Sequence, residues 1–358
     1  MKPQQIKRIR RVISGQATDV PARFVRSGLR TLEPVYRTIT RIRNRSFDRK
    51  SGRTTRVSVP VVSIGNLTTG GTGKTPLVCW TVQQLLDAGQ QPAIVSRGYG
   101  SKDGQPNDEF LELKLRLPDT PHIQNPDRIA AARVAIQQHQ ANVIVLDDGF
   151  QHRRIGRDLD IVLIDATCPF GFGHLLPRGL MREPVESLKR ADVVAITRVD
   201  QVGEDQVAQI KSQVADWIPQ DKIACVRFVP GGWIDCDGNT TGLSNDLRVV
   251  AFCGIGNPDG FRRTLNDSSI QVIEFKAFND HHDYRQSELD QLQTLATECQ
   301  ADALVCTVKD LVKVRSLNRG NLPVLALSIQ TEFDSGQEAI ARLLSQATQT
   351  TEPIERSI

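Results

Sequence analysis

Residues 68–75 read TTGGTGKT inside the longer run VVSIGNLTTGGTGKTPLV. A glycine-rich loop of this kind, placed between a strand and a helix, lets backbone N–H groups and a helix N-terminus converge on phosphate oxygens. Its lysine then reaches the terminal phosphates and its hydroxyl a Mg²⁺ ion. The strict pattern asks for glycine at the first corner, where this chain has Thr68, and the bland alternative is an ordinary glycine-rich turn. Thr68, Thr69, Gly70, Gly71, Thr72, Gly73, Lys74 and Thr75 are the candidate nucleotide ligands, with Lys74 also catalytic and Thr75 also a metal ligand. A second run agrees with the first. Val143-Ile144-Val145-Leu146 ends in Asp147-Asp148, and carboxylates at the C-terminal end of an apolar strand are where the metal ligands of a phosphoryl-transfer site belong. Taken alone, the same pair is also what a solvated strand end looks like.

Positioning these groups takes strands and helices in alternation. Val-, Ile- and Leu-rich runs at 57–66, 92–100, 142–149, 159–166 and 192–200 read as buried parallel strands, and the stretches 76–89 and 126–140 between them carry helical periodicity. That alternation predicts a P-loop NTPase-like doubly wound parallel sheet of α/β class. A loop-like stretch at 230–246 leads to a second, smaller α/β series at 248–256, 269–275, 301–310 and 322–328. The expected boundaries are a disordered basic tail over 1–20, an amphipathic basic helix over 21–50, a P-loop kinase domain over 51–221, a second domain over 222–345 and a polar tail over 346–358. A chain of 358 residues is long enough for two cores. Thr197-Arg198-Val199-Asp200 imitates the base-reading stretch of GTPases but has Arg where Lys is needed, so it is read as a strand end.

Composition excludes several classes. With 39% hydrophobic and 24% charged residues the chain is neither disordered nor collagen-like, and seven scattered cysteines suggest neither a zinc site nor a disulfide framework. The cysteine pattern leads to the expectation of a reducing, cytoplasmic setting, and no apolar run is long enough to span a bilayer. Charge is uneven. Residues 1–56 hold 16 basic and 3 acidic residues, a net +13, within a chain whose total is +4. In 22–43, Phe24, Val25, Leu29, Leu32, Val35, Tyr36, Ile39 and Ile42 recur at three- and four-residue steps with arginines between them. Such a helix either lies in an anionic membrane interface, apolar side down, or lays its apolar stripe on the body of the protein. Pro34 predicts a break or kink within it. At 5% aromatic residues no base-stacking platform is recognisable, and no nucleic-acid partner is expected.

GNLTTGGTGKTP, SRGYG (96–100), NDE (107–109), DDGFQHRR (147–154), LPRGLMREP (177–184), FCGIGNP (252–258), NDHHDY (279–284) and TVKDLVK (307–313) occur in the order and spacing of the tetraacyldisaccharide 4'-kinases. The resemblance covers about residues 20–330. It departs from the usual pattern at Asn107, Arg178, Leu180 and Val308. It implies transfer of the γ-phosphoryl group of ATP, with Mg²⁺, to the 4'-hydroxyl of the lipid A disaccharide 1-phosphate precursor. The enzyme would be a monomer, peripheral on the inner face of the cytoplasmic membrane. Asp108 matches the family's proposed base and His281 its partner, 173 residues apart and expected on different lobes. From the residues alone, Asp280-His281-His282-Asp283 also fits a surface turn or a metal cluster. Asp147 and Asp148 are metal or water-network ligands, with Gln151 and His152 in the same loop. Arg97, Arg128 and Arg182 are candidate phosphate clamps, since a guanidinium grips phosphate with two bonds, although most arginines simply lie on the surface. Glu183 is expected to orient Arg182. The competing functions are a P-loop kinase or ligase for a soluble metabolite and a nucleotide-switched, GTPase-like chaperone.

Overall fold

The structure is a computed structural model that describes residues 9, 11–49, 54–98, 107–241, 246–268 and 270–349. Expectations for residues 1–8, for Tyr99 and Gly100 of SRGYG and for 350–358 lie outside the described residues. In chain order the elements are α1 (Val20–Asp48), β1 (Val61–Asn66), α2 (Lys74–Asp87), β2 (Pro92–Ser96), α3 (Asp108–Arg116), β3 (His122–Gln124), α4 (Arg128–His139), β4 (Val143–Asp147), β5 (Leu159–Asp165) and β6 (Val193–Thr197). There follow α5 (Glu204–Ala215), β7 (Ile223–Asp235), β8 (Thr240–Thr241), β9 (Arg248–Cys253), α6 (Pro258–Asn266), β10 (Gln271–Ala277), α7 (Gln286–Glu298), β11 (Ala303–Thr307), α8 (Val308–Val314), β12 (Val324–Ser335) and α9 (Gln337–Gln349).

The chain forms two compact units. The first takes residues 1–98, 120–227 and 332–358, the second 99–119 and 228–331. In the first, strands pair in the order β3-β2-β4-β1-β5-β6-β7, all parallel. Every residue of β1, β2, β4 and β6 is buried, which is why they read as unbroken apolar runs. A parallel strand pair needs a crossover, and α2 and α4 supply those on either side of β2 and β4. Asp127 starts α4 by accepting hydrogen bonds from the backbone N–H groups of Ile129 and Ala130.

In the second unit β10, β9, β11 and β12 run parallel in that order. The interval 230–246 is not a loop over its full length. Buried Trp233 and Ile234 belong to β7 and pair antiparallel with Thr241 and Thr240 of β8. Two expected boundaries also move. Segment 107–119 belongs with the second unit because α3 buries Leu113, sets Leu115 against that unit's core, and donates from Arg116 to the Ile329 carbonyl at 2.6 Å. Residues 332–349 belong with the first, where α9 buries Ile340 and Leu344 and Gly336 approaches to within 2.7 Å of the Ala224 backbone at a would-be Cβ. The expected polar tail is helical up to Gln349.

The described part of the expected N-terminal tail is ordered. Residues 11–13 are helical, Ile13 is buried, and Arg26 and Arg178 donate to the carbonyls of Val12 and Ile13 at 3.2 and 2.6 Å. Helix α1 passes through Pro34 without a break. Proline removes one donor from the helix ladder, and Pro34 lies on the exposed side of α1.

Candidate active site

In the first unit β1 delivers Asn66 to the foot of the glycine-rich loop. Its amide donates to the Thr72 hydroxyl at 3.0 Å, and its carbonyl accepts from Gln151 at 2.9 Å. Gly73 takes the N-cap position of α2 at φ 87°, a left-handed value that a side chain there would strain. Thr197 donates to the Thr72 carbonyl and Arg198 to the Gly71 carbonyl, each at 2.9 Å. These bonds engage the carbonyls of Gly71 and Thr72, the polarity a phosphate needs, whereas the Thr69 N–H is taken by the Leu180 carbonyl at 2.7 Å.

Opposite the loop, Asp148 accepts two bonds from Arg182 at 2.8 and 2.9 Å, and Lys74 stands 3.7 Å away. Burial alone would raise the Asp148 carboxyl, but Arg182 and Lys74 outweigh it and bring the group down to about 2. Arg182 also bonds Asn66, which links loop and carboxylate. Asp147 is buried at the end of β4. Arg128 is only 4% exposed, its Nε has no hydrogen-bond partner among the described residues, and burial together with the nearby Arg97 charge presses against its cationic form. A buried guanidinium so poorly neutralised gains from an incoming anion. Arg97 itself is exposed. His152 is pushed down to about 4 by burial and by the charges of Arg128, Arg154 and Arg157, so it is neutral at pH 7. Gln151 supports Asn66.

Glu183 has a different task from the expected one. Fully buried, it is bonded by Arg43, Asn44 and Arg190, each at 2.9 Å. With both oxygens engaged it anchors α1 and leaves Arg182 to Asp148. Helix α1 turns its polar side inward: Glu33 accepts from the Leu175 N–H at 3.0 Å and pairs with His174 at 2.9 Å, and the Tyr36 hydroxyl donates to the Arg182 carbonyl at 3.1 Å. Phe24, Val25, Leu32, Val35, Ile39 and Ile42 are all more than half exposed. The alternative in which this stripe packs on the body is therefore excluded.

In the second unit Asp108, in the first turn of α3, and His281 meet at 3.1 Å through Oδ2 and Nδ1. Both belong to this unit, which corrects the expectation that they face each other from different lobes. Lys313 of α8 stands 2.8 Å from the same Oδ2. Burial alone would raise the Asp108 carboxyl, but the bonds from His281 and Lys313 overcome it and lower the group to about 2. His281 sits at φ 59°, with its N–H on the Gly254 carbonyl at 3.0 Å. Asp310, fully buried, pins that corner by accepting from the Gly254 N–H and the Tyr284 hydroxyl at 3.0 Å and from the Thr307 hydroxyl at 2.6 Å. His282 bonds Glu288 at 3.0 Å, and among the described residues no three His, Cys, Asp or Glu side chains converge on a metal position.

Residues 25–349 match the family described as LpxK, tetraacyldisaccharide-1-P 4'-kinase. The chain belongs to this family. The tetraacyldisaccharide 4'-kinase of Syntrophus aciditrophicus (strain SB) is 37% identical over 82% of this chain and 86% of its own length. That of Chlorobium limicola (strain DSM 245 / NBRC 103803 / 6330) is 33% identical over 88% and 96%. A solved structure of LpxK from Aquifex aeolicus in complex with ATP superposes with a TM-score of 0.73 at 26% identity, covering 90% of this chain and 99% of that one.

In this 4'-kinase family member several site residues carried no sequence signal of their own. Asn66 looks like a strand end, yet three groups of the site bond to it. Thr197 and Arg198 brace the loop from behind, and Arg198 is committed to Asp165 as well, so the stretch that imitates a base-reading motif is a support for the loop. Lys313 could have been noticed only with the fold in hand.

Proposed function

We propose that this protein transfers the γ-phosphoryl group of ATP to the 4'-hydroxyl of a tetraacyldisaccharide 1-phosphate, a lipid A precursor, while held on an anionic membrane surface. The observation that carries this reading over a kinase for a soluble metabolite is the face of α1. Six large apolar side chains point to solvent on a helix bonded to Arg182, the residue that also bonds Asn66 and Asp148. A face of that kind suits acyl chains and a bilayer interface, and the basic residues around it suit anionic headgroups. Among the described residues no helix is long and apolar enough to cross a membrane.

The loop and the α2 N-terminus take the phosphates, Lys74 offsets charge on the transferred group, and Arg128 and Arg182 are the further cations for it. The Thr75 hydroxyl and the Asp147 carboxylate are hard oxygen donors of the kind Mg²⁺ prefers, and Asp148, held by Arg182 and Lys74, completes the acidic side of that set. The ion would neutralise charge on the β- and γ-phosphates. In the step itself the 4'-oxygen bonds to the γ-phosphorus as the bond to the β–γ bridging oxygen breaks. ADP leaves with that electron pair, and the hydroxyl proton passes to Asp108. A loose transition state asks little nucleophilic push of the acceptor, so an ionised, well-placed carboxylate suffices.

The test is to incubate γ-labelled ATP, Mg²⁺ and the disaccharide 1-phosphate in detergent micelles. Label on the lipid at the 4' position is expected. ATP binding without label on the lipid would overturn the reading.

A further inference from the structure

Lys309 and Lys313 lie one helical turn apart on α8, so they share a face, and each holds one member of the Asp108–His281 pair. Lys313 Nζ stands 2.8 Å from Asp108 Oδ2 and donates to the His282 carbonyl at 3.0 Å, with a side chain only 8% exposed. Lys309 Nζ stands 3.2 Å from His281 Nε2. We propose that Lys309 and Lys313 are positioning residues of the transfer reaction. Lys313 fixes the Asp108 carboxylate by one oxygen, and Lys309 holds the His281 proton on Nδ1. This rests on the function proposed above.

The hydrogen-bond chemistry is directional. An ammonium donates and never accepts, so the ring nitrogen facing Lys309 is the acceptor, and the one ring proton of neutral imidazole sits on Nδ1. From there it is donated to Asp108 Oδ2. That oxygen therefore receives two donors, while Oδ1 receives none among the described residues and is left to take a proton from the acceptor hydroxyl. The groups facing His281 are Asp108 from α3, Lys309 from α8 and Asp280 from its own loop. Asp280 Oδ1 is 4.0 Å from Nε2, too far for a hydrogen bond, and 3.7 Å from Lys309. The base oxygen is thus chosen by where the donors are. Val308, which departs from the family pattern, is buried on the other side of α8 and leaves the lysine face intact.

Two measurements on the full-length protein test this. In ¹⁵N-histidine spectra, with His281 assigned by loss of its signals in His281→Gln, wild type is expected to show a protonated Nδ1 and a bare Nε2. Lys309→Met should spread the ring proton over both nitrogens, and Lys309→Arg, which still donates, should restore the Nδ1 tautomer. In kinetics, Lys313→Met should lower kcat on the order of 10²-fold with KM for ATP unchanged, and Lys309→Met should lower kcat in the same direction, with Lys309→Arg recovering it. A wild-type His281 protonated on Nε2, or a Lys309→Met variant whose tautomer and kcat match wild type, would overturn the proposal. The spectra read the tautomer whether or not the lipid is the substrate, so failure of this inference and failure of the proposed function are separable. Lys309 is the more exposed of the two lysines and keeps the test decisive if Lys313→Met does not fold.

Discussion

The two groups of candidate catalytic residues are built in opposite ways. The phosphate loop of the first unit is made largely of backbone, eight consecutive residues closed by Asn66, Thr197 and Arg198, and its function needs N–H groups that any sequence supplies once glycines permit the turn. The Asp108 cluster of the second unit is made of side chains drawn from three separate parts of the chain, and His281 at its centre remains 59% exposed. A backbone cradle tolerates the departure at Thr68 because the left-handed φ values of the loop fall on Gly70 and Gly73 and not on Thr68. A side-chain cluster tolerates little, since each member fixes the protonation or direction of the next.

That contrast can be broken most sharply at Lys74, the one charged side chain the cradle contributes. Lys74→Ala should cost several kcal/mol of transition-state stabilisation, hence a loss of roughly 10³-fold or more in kcat. Activity within threefold of wild type would remove the loop from the chemistry. The second cluster should behave as a unit: Asp108→Ala and His281→Ala are each expected to lose about 10²- to 10⁴-fold, and the double variant should be little slower than the worse single. ATP affinity, read by calorimetry, should survive in all three variants. Multiplicative losses would show two independent residues.

Stability separates the units by smaller amounts. Leu113→Ala, in the helix that carries Asp108, empties a site 1% exposed and should cost about 2–5 kcal/mol, seen as a lower denaturation midpoint. A neutral result would mean that α3 does not belong to that core. In the first unit His152 has its folded pKa at about 4, below the 6.5 of a free histidine. The unfolded chain therefore binds more protons between those values, and stability present above pH 6.5 is lost as pH falls toward 4. Denaturation midpoints of wild type and His152→Gln should diverge across that window, wild type falling faster on acidification. Parallel curves would place the histidine in solvent. The smallest thermal effect is expected on α1. Replacing Phe24, Val35 and Ile39 together by Ser should shift folding stability by no more than about 0.5 kcal/mol per site, because these side chains are already exposed, while sedimentation with anionic vesicles should fall strongly. Unchanged vesicle binding would take the lipid surface away from this face.

What could be read from the sequence is what is local. A glycine-rich stretch between an apolar strand and a helix, a strand ending in two aspartates and the alternation of buried strands with crossover helices are all contiguous patterns. Each is set by backbone geometry and burial within about twenty residues. The elements expected at 57–66, 76–89, 92–100 and 142–149 lie where the fold has β1, α2, β2 and β4, with ends displaced by a few residues and α2 beginning two residues earlier, at Lys74. What the sequence could not settle depends on packing across long separations. Periodicity marked α1 as two-faced, but only the bonds of Glu33, Tyr36 and Asn44 decided that its polar side faces inward. Glu183 next to Arg182 suggested a pair, and burial gave it to Arg43 and Arg190. Asp108 was placed with the phosphate loop by chain order, and Leu113 and Leu115 took its helix into the other core. The two lysines of TVKDLVK were in plain view. Only the fold set them against an aspartate and a histidine 173 residues apart, because a hydrogen bond is fixed by position in space and leaves no mark on spacing along the chain.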